Sequence, residues 1–209
     1  MGSTLQVMVI ESHPGVAGTA EAELVAAGHQ VRRCHDADGP GFPCRGVTGS
    51  RDCPLDHPID VALLVRRGVA PRPTTMEEGV TCALRARVPI VEDGTDLFDP
   101  FSELLADRVP PFGDAVTVCE AVARHATEPL EHRVRDAFAP VLTRHGLQPD
   151  EVGVQARYDG DVLRLHVTVD RPVTSTLRGL LCITAADATR SAARPRASVE
   201  VSFAAPDPD

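Results

Sequence analysis

The sequence predicts an open, doubly wound parallel α/β sheet followed by a small α+β domain of order α-β-β-α-β. Three observations carry this. Residues 5–10, 59–65 and 88–91 are short apolar runs rich in β-branched side chains, the pattern of strands buried on both faces. Helical periodicity alternates with them through the first half, which is the signature of a βαβ sheet. In the second half, Asp159-Gly160 separates two runs of alternating polarity, a hairpin signal.

The elements follow in order. After the strand at 5–10, residues 16–27 space Val16, Ala20, Leu24 and Ala27 at helical intervals, and Gly28 is placed for a left-handed C-terminal cap. Residues 29–34 read as a second strand. Residues 35–58 lose all periodicity and hold Gly39, Pro40, Gly41, Pro43, Gly46, Gly49, Pro54 and Pro58. A structureless loop this long inside a compact domain usually serves function or is organised by a metal. A third strand at 59–65 precedes a Pro-containing loop. A helix follows at 76–87, with Val80, Ala83 and Leu84 on one face, and then a fourth strand at 88–91. A helical turn or two is expected at 101–106. Residues 115–119 read as a fifth strand merging into a helical pattern through Arg124.

In the second half, Thr127 is expected to cap a helix with Pro129 just inside its start. Leu130, Val134, Phe138 and Val141 or Leu142 form its apolar face; Pro140 should kink it and Gly146 should end it. Strands at 152–158 and 162–169 flank the hairpin. In the second of them Leu163, Leu165, Val167 and Val169 face the core, while Arg164, His166, Thr168 and Asp170 face water. A helix at 174–193 should point Leu177, Leu180, Leu181, Thr184 and Ala188 inward. A last strand at 198–203 buries Val199, Val201 and Phe203. The expected domains are 1–126, carrying the loop at 35–58, and 127–205, with a loose tail at 206–209.

Composition excludes several classes. All 21 basic residues are Arg, so phosphate-loop, Schiff-base and general-base lysines are impossible. The net charge is −9, spread without a basic stripe, and there is no Trp and one Tyr. Nucleic-acid binding is therefore not expected. No apolar run is long enough for a bilayer, and residues 1–10 lack the charge and cleavage site of a signal peptide. A cytoplasmic location is expected, where six Cys serve as thiols or metal ligands rather than disulfides.

The run Val9, Ile10, Glu11, Ser12, His13, Pro14, followed by a helix and Ala26-Ala27-Gly28-His29, resembles the opening of response-regulator receiver domains, which share the flavodoxin-like architecture. That family holds magnesium with an acidic pair after the first strand; Glu11 and Ser12 stand there in this chain. Its phosphorylated Asp falls at Val65, and its Lys has no counterpart. The resemblance implies a pseudo-receiver that cannot be phosphorylated at the usual place, its second helix replaced by the loop. Residues 60–91 resemble nucleoside deoxyribosyltransferases and N-glycosidases, where a Glu-x-Gly opens a helix after a Pro-containing loop. Glu77-Glu78-Gly79 match, which would make Glu77 the nucleophile at a sugar anomeric carbon. Alternatively, both acids simply favour the helix dipole. The C-terminal order resembles cytoplasmic domains of cation-diffusion transporters and other metallochaperone-like domains, implying fold and self-association.

Cys34, Cys44 and Cys53 are spaced Cys-x9-Cys-x8-Cys, with His35 and His57 beside them. Three thiolates and an imidazole suit tetrahedral zinc; thiolates also suit an iron–sulfur cluster. Zinc is the first expectation and the cluster the second, with metal-free thiols or a pair oxidised on handling as the alternatives. Cys82, Cys119 and Cys182 read as small hydrophobes, although Cys82 would become a fourth sulfur ligand if its helix packs near the loop. Ser12 and His13 after the first strand, and Arg66 and Arg67 after the third, stand at the carboxyl edge, where a small anionic ligand would bind. Alternatively, the two arginines neutralise the nearby acids. Glu92, Asp93, Asp96 and Asp99 offer oxygen ligands for magnesium or form a solvated loop.

These observations point to a non-catalytic cytoplasmic regulatory or sensory protein. It would carry a metal-binding or redox-responsive cysteine loop and a domain for self-association as a homodimer or larger homo-oligomer. A protein partner or a small anionic ligand is expected, and neither nucleic acid nor membrane. The alternatives are a nucleoside-cleaving enzyme using Glu77 and a scaffold with a structural zinc site.

Overall fold

A computed structural model of the chain describes residues 4–36, 41, 44, 46, 53–68, 72–94, 99–195 and 197–206. The chain divides into two compact units, Met1–His125 and Ala126–Asp209.

The first unit runs β1 (Gln6–Glu11), α1 (Gly18–Ala26), β2 (Gln30–Arg33), β3 (Val61–Val65), α2 (Gly79–Arg85), β4 (Ile90–Asp93), β5 (Asp107–Arg108) and α3 (Ala115–His125). Its five strands are all parallel, in the order β2-β1-β3-β4-β5. From β1 the chain steps outward to β2, and from β3 it steps outward the other way. The strand order therefore reverses between β1 and β3, which leaves a crevice at their carboxyl ends. Both faces of this sheet are covered. Val7, Val9, Val61, Leu63 and Val65 pack with Ala20 and Leu24 of α1 and with Ala115, Cys119 and Val122 of α3. Met8, Ile10, Ala62 and Leu64 pack on the other face with Val80 and Ala83 of α2 and with Cys34 and Phe101. Burial on both faces is why β1 and β3 read as unbroken apolar runs.

Several expectations needed correction. Residues 115–119 are not a strand. They open α3, and Thr117 N donates to Asp114 Oδ1 at 2.7 Å to cap it. The fifth strand is instead the two-residue β5, held through Ala106 N to Ile90 O and Val109 N to Glu92 O. Where a helical turn or two was expected at 101–106, residues 101–104 form a turn, with Leu104 N donating to Phe101 O at 2.7 Å. The helix expected at 76–87 is a 3-10 turn, Thr75–Glu78, leading into α2, and Leu84 on it is exposed. Gly28 does adopt the left-handed conformation, with φ of 89°. Most of the loop at 35–58 lies outside the described residues; within it Pro54–Asp56 form a 3-10 turn.

The second unit runs α4 (Glu128–Arg144), β6 (Val152–Asp159), β7 (Val162–Val169), α5 (Ser175–Arg190) and β8 (Ser198–Ala204). β6 and β7 pair antiparallel through the hairpin, and β8 pairs parallel with β7, so the sheet is mixed. Leu130, Val134, Phe138 and Leu142 of α4 and Leu177, Leu181 and Ala185 of α5 pack on Leu163, Leu165 and Val167. The buried face of α5 is thus 177, 181, 185 and 189; Leu180 is exposed and Thr184 only partly buried. Thr127 does not cap α4 with its side chain: its hydroxyl donates to Ala156 O at 2.8 Å. Helix α4 continues through Pro140 to Arg144. Part of the expected tail, residues 207–209, lies outside the described residues.

Candidate functional site

Two groups of chemically active side chains occupy the first unit. One stands after β1, β3 and β4. Ser12 is buried; its Oγ accepts from Arg67 N at 3.2 Å and lies 3.1 Å from Nδ1 of the exposed His13. Its carbonyl accepts from Thr74 Oγ1 at 3.0 Å. Arg66, although charged, is 1% exposed. Its Nε donates to Glu77 Oε1 at 2.5 Å, and one terminal nitrogen lies 3.7 Å from Asp99. Arg67 pairs with Asp93 at 2.8 Å. The second oxygen of Glu77 accepts from Thr74 N at 2.6 Å, completing a capping box on the 3-10 turn. Both carboxylate oxygens of Glu77 are therefore engaged within the fold. Glu92 and Asp99 face each other beneath Arg108. Burial, and then the charge of Asp99, push the Glu92 carboxyl up to about 7, against the pull of Arg108.

Where a receiver-type site would hold magnesium, Glu11 is buried and faces Arg33 at 3.5 Å, and it also accepts from Ala17 N. Val65 is fully buried among apolar neighbours. Of the acids after β4, Asp96 lies outside the described residues.

The second group is the cysteines. Cys34 follows β2 and is buried against the α2 face of the sheet. Gly79, the first residue of α2, touches it: a Cβ there would lie 3.0 Å from Cys34 Sγ and 3.1 Å from Ile10. Cys44 and Cys53 meet at Gly46, where a Cβ would lie 3.4 Å from Cys53 Sγ and 3.9 Å from Cys44 Sγ. Gly41 seats this loop on the 3-10 turn before α2, since a Cβ there would fall 2.7 Å from Met76 N. Glycine at 41 permits a backbone approach that a side chain would block, and at 46 and 79 an added Cβ would sit tightly against its neighbours. Cys82, expected as a small hydrophobe, is exposed on α2, whereas Cys119 is fully buried and Cys182 partly so. Burial pushes the Cys34 thiol up to about 12, and the neighbouring Cys53, Cys82 and Cys44 add to the rise. Cys82 is raised in the same sense by burial and then by Cys44 and Cys53. Among the described residues, no three His, Cys, Asp or Glu side chains are already gathered as a metal-holding group.

His35 is buried and accompanies the peptide of Met76; burial lowers its pKa, and the charges facing it are Glu11 and Asp36. His57 is half-buried beside the Pro54–Asp56 turn. Sequence reasoning missed the burial of Glu92 with Asp99 under Arg108, because nothing local links those positions. The Thr74-x-x-Glu77 signature was available for the capping box.

Fold and site together define a parallel five-stranded α/β unit with Cys34 packed on its α2 face and ion pairs at its carboxyl edge, followed by a small mixed-sheet unit. No family model matches the chain, and no curated protein is found similar to it. No helix among the described residues is long and apolar enough to cross a membrane.

Proposed function

We propose that this is a non-catalytic regulatory or sensory protein, cytoplasmic, whose first unit is a pseudo-receiver carrying a metal-binding or redox-responsive cysteine loop. The observation that carries the reading is that Cys44 and Cys53 both lie near Gly46, while Cys34 packs against Gly79 at the start of α2. The strand order and the apolar Val65 support the pseudo-receiver comparison. The thiols also connect to the carboxyl edge through one short segment. Thr74 and Glu77 hold Ser12 and Arg66 at one end of it, and Gly79 touches Cys34 at the other. A change of state at the thiols would be felt at Arg66 through this segment. The intramolecular pairing of Glu77, Arg66 and Arg67 favours positioning roles for them over a nucleophile or an anion receptor.

The second unit would mediate self-association. Leu180 and Ile183, three residues apart on α5, are 42% and 63% exposed, which suits burial by a second copy. Sedimentation of the full chain, metal-loaded and then stripped by chelator, tests the reading. A change in oligomeric state on stripping is expected, with no base release from purine or pyrimidine nucleosides. Turnover of a nucleoside, abolished in Glu77→Ala, would overturn it in favour of the enzyme. Bound zinc with no effect on association would favour the plain scaffold.

A further inference from the structure

We propose that the second unit pairs with a second copy of the chain along the open edge of β8, antiparallel and centred on Val201, so that two three-stranded sheets join as one. This rests on the self-association reading of that unit and fixes where its interface lies. The two edges of the sheet differ. At β6, side chains of α4 and of Thr127 just before it take the backbone groups that point away from β7. Val154 O accepts from Arg135 at 3.1 Å, Ala156 N donates to Glu131 Oε1 at 2.8 Å, and Ala156 O accepts from Thr127 Oγ1 at 2.8 Å. Strand β8 lacks this cover. Ser198 N donates to Asp161 O, and the ladder with β7 runs unbroken from Ser198 to Ala204. With a strand's period of two, residues 198, 200, 202 and 204 turn their backbone groups towards β7, and Val199, Val201 and Phe203 turn theirs outward. Among the described residues no hydrogen bond reaches those outward groups.

The usual guards of an edge are also missing from Ser198–Ala204: it has no Pro, no Lys, no bulge and no charge facing the core. Glu200 faces water and pairs with Arg164 at 3.0 Å. On the core side Val199, Val201 and Phe203 are only partly buried, whereas Leu163, Leu165 and Val167 on β7 are fully buried. Arg178 lies over the Phe203 ring at 5.2 Å, a side-chain contact that leaves the backbone free. The phase of the edge then limits the register, because only Val199, Val201 and Phe203 can exchange hydrogen bonds across it. Centring on Val201 sets that residue against Val201 of the second copy, and Val199 against Phe203 of the second copy. The partly buried apolar row is thereby extended by apolar neighbours. Glu200 meets Ser202 of the second copy, whose hydroxyl can donate to it. Centring one residue earlier would set two Glu200 side chains directly opposite, where like charges repel. Centring one residue later would push Val199 off the end of the pairing strand. This match of phase and charge with itself assigns the edge to a second copy, and the covered β6 edge stops the pairing at two.

The test combines sedimentation of the full chain with residue-resolved amide hydrogen exchange, each at high and low protein concentration. Wild type is expected to be a dimer that dissociates on dilution. The amides of Val199, Val201 and Phe203 should be protected in the dimer and exchange freely on dilution, while those of Glu200 and Ser202, bonded to β7, stay protected throughout. This readout needs no variant to fold. Val201→Pro removes one outward N–H and spares the ladder with β7, a placement that a strand edge tolerates. It should sediment as a monomer with wild-type circular dichroism. A dimer whose three outward amides exchange freely, or a folded Val201→Pro that stays dimeric, would overturn the edge. If that dimer is lost instead in Leu180→Ser with Ile183→Ser, self-association stands and runs through α5. Wild type that is monomeric at every concentration would overturn both.

Discussion

Arg66 offers the sharpest energetic test. Among the described residues it leads the fully buried side chains by volume, and its guanidinium lies 5.7 Å from the centre of the Phe101 ring. Its charge is balanced by Glu77, whose side chain is 0% exposed, and by Asp99 at 2%. Arg66→Met keeps most of the apolar stem and removes the charge. Glu77 then sits buried without its partner, at a cost of about 3–5 kcal/mol. A domain of this size is stable by only about 5–15 kcal/mol, so the loss is a large fraction. Its thermal midpoint should fall by roughly 10 °C or more. Arg66→Met with Glu77→Gln removes both charges and should recover at least ~1 kcal/mol of that loss. Urea unfolding followed by far-ultraviolet circular dichroism measures this. The chain has no Trp, and its one tyrosine, Tyr158, lies in β6, so tyrosine fluorescence reports the second unit separately. A single variant within about 1 kcal/mol of wild type, or a double variant no more stable than the single, would refute the reasoning.

Other outcomes follow from the same geometry. The Glu92 carboxyl, raised from 4.5 to about 7, is favoured in its protonated form by the folded state. Its contribution to stability is full below about pH 4.5 and is lost as pH rises through about 7, so Glu92→Gln should flatten the fall in unfolding midpoint across that window. An unchanged pH slope in that variant would refute it. Phe138, fully buried between α4 and the mixed sheet, should cost about 3–5 kcal/mol on truncation to Ala, read by Tyr158 fluorescence. A loss below about 1 kcal/mol would mean the site collapses around the deletion.

Much of the fold was legible because burial leaves a mark on sequence. Strands β1 and β3 lie inside a sheet covered on both faces, so their apolar runs announced them, whereas the fourth strand, expected at 88–91, runs Ile90–Asp93 and ends on two acids. The hairpin announced itself through Asp159-Gly160, with φ of 62° at Gly160. Helix α3 was misread because Val116, Thr117 and Val118 form a short β-branched run, and periodicity cannot separate strand from helix over so few residues. Strand β5 has no apolar signature at all: Asp107 and Arg108 are both exposed. On α5, Leu180 and Leu181 offered two phases for one helix, and only packing against the sheet selects 181.

The site was legible in part. The loop cysteines stood out by spacing, and Cys82 entered only as a conditional fourth ligand, since its approach depends on how α2 packs. That Gly46 and Gly79 make room for sulfur is a tertiary fact, invisible where glycine merely reads as loop or helix start. The pairing of Arg66 with Glu77 and Asp99 joins the end of β3, the 3-10 turn before α2 and the segment after β4, and local pattern does not encode it.

The most direct test of the central claim is elemental analysis with an absorption spectrum of the full chain purified without oxygen. The account predicts about one metal centre per chain, either zinc or iron with visible absorption, and its loss in Cys44→Ser. Wild-type protein that carries no metal and takes up none, or metal content unchanged in Cys44→Ser, would contradict it.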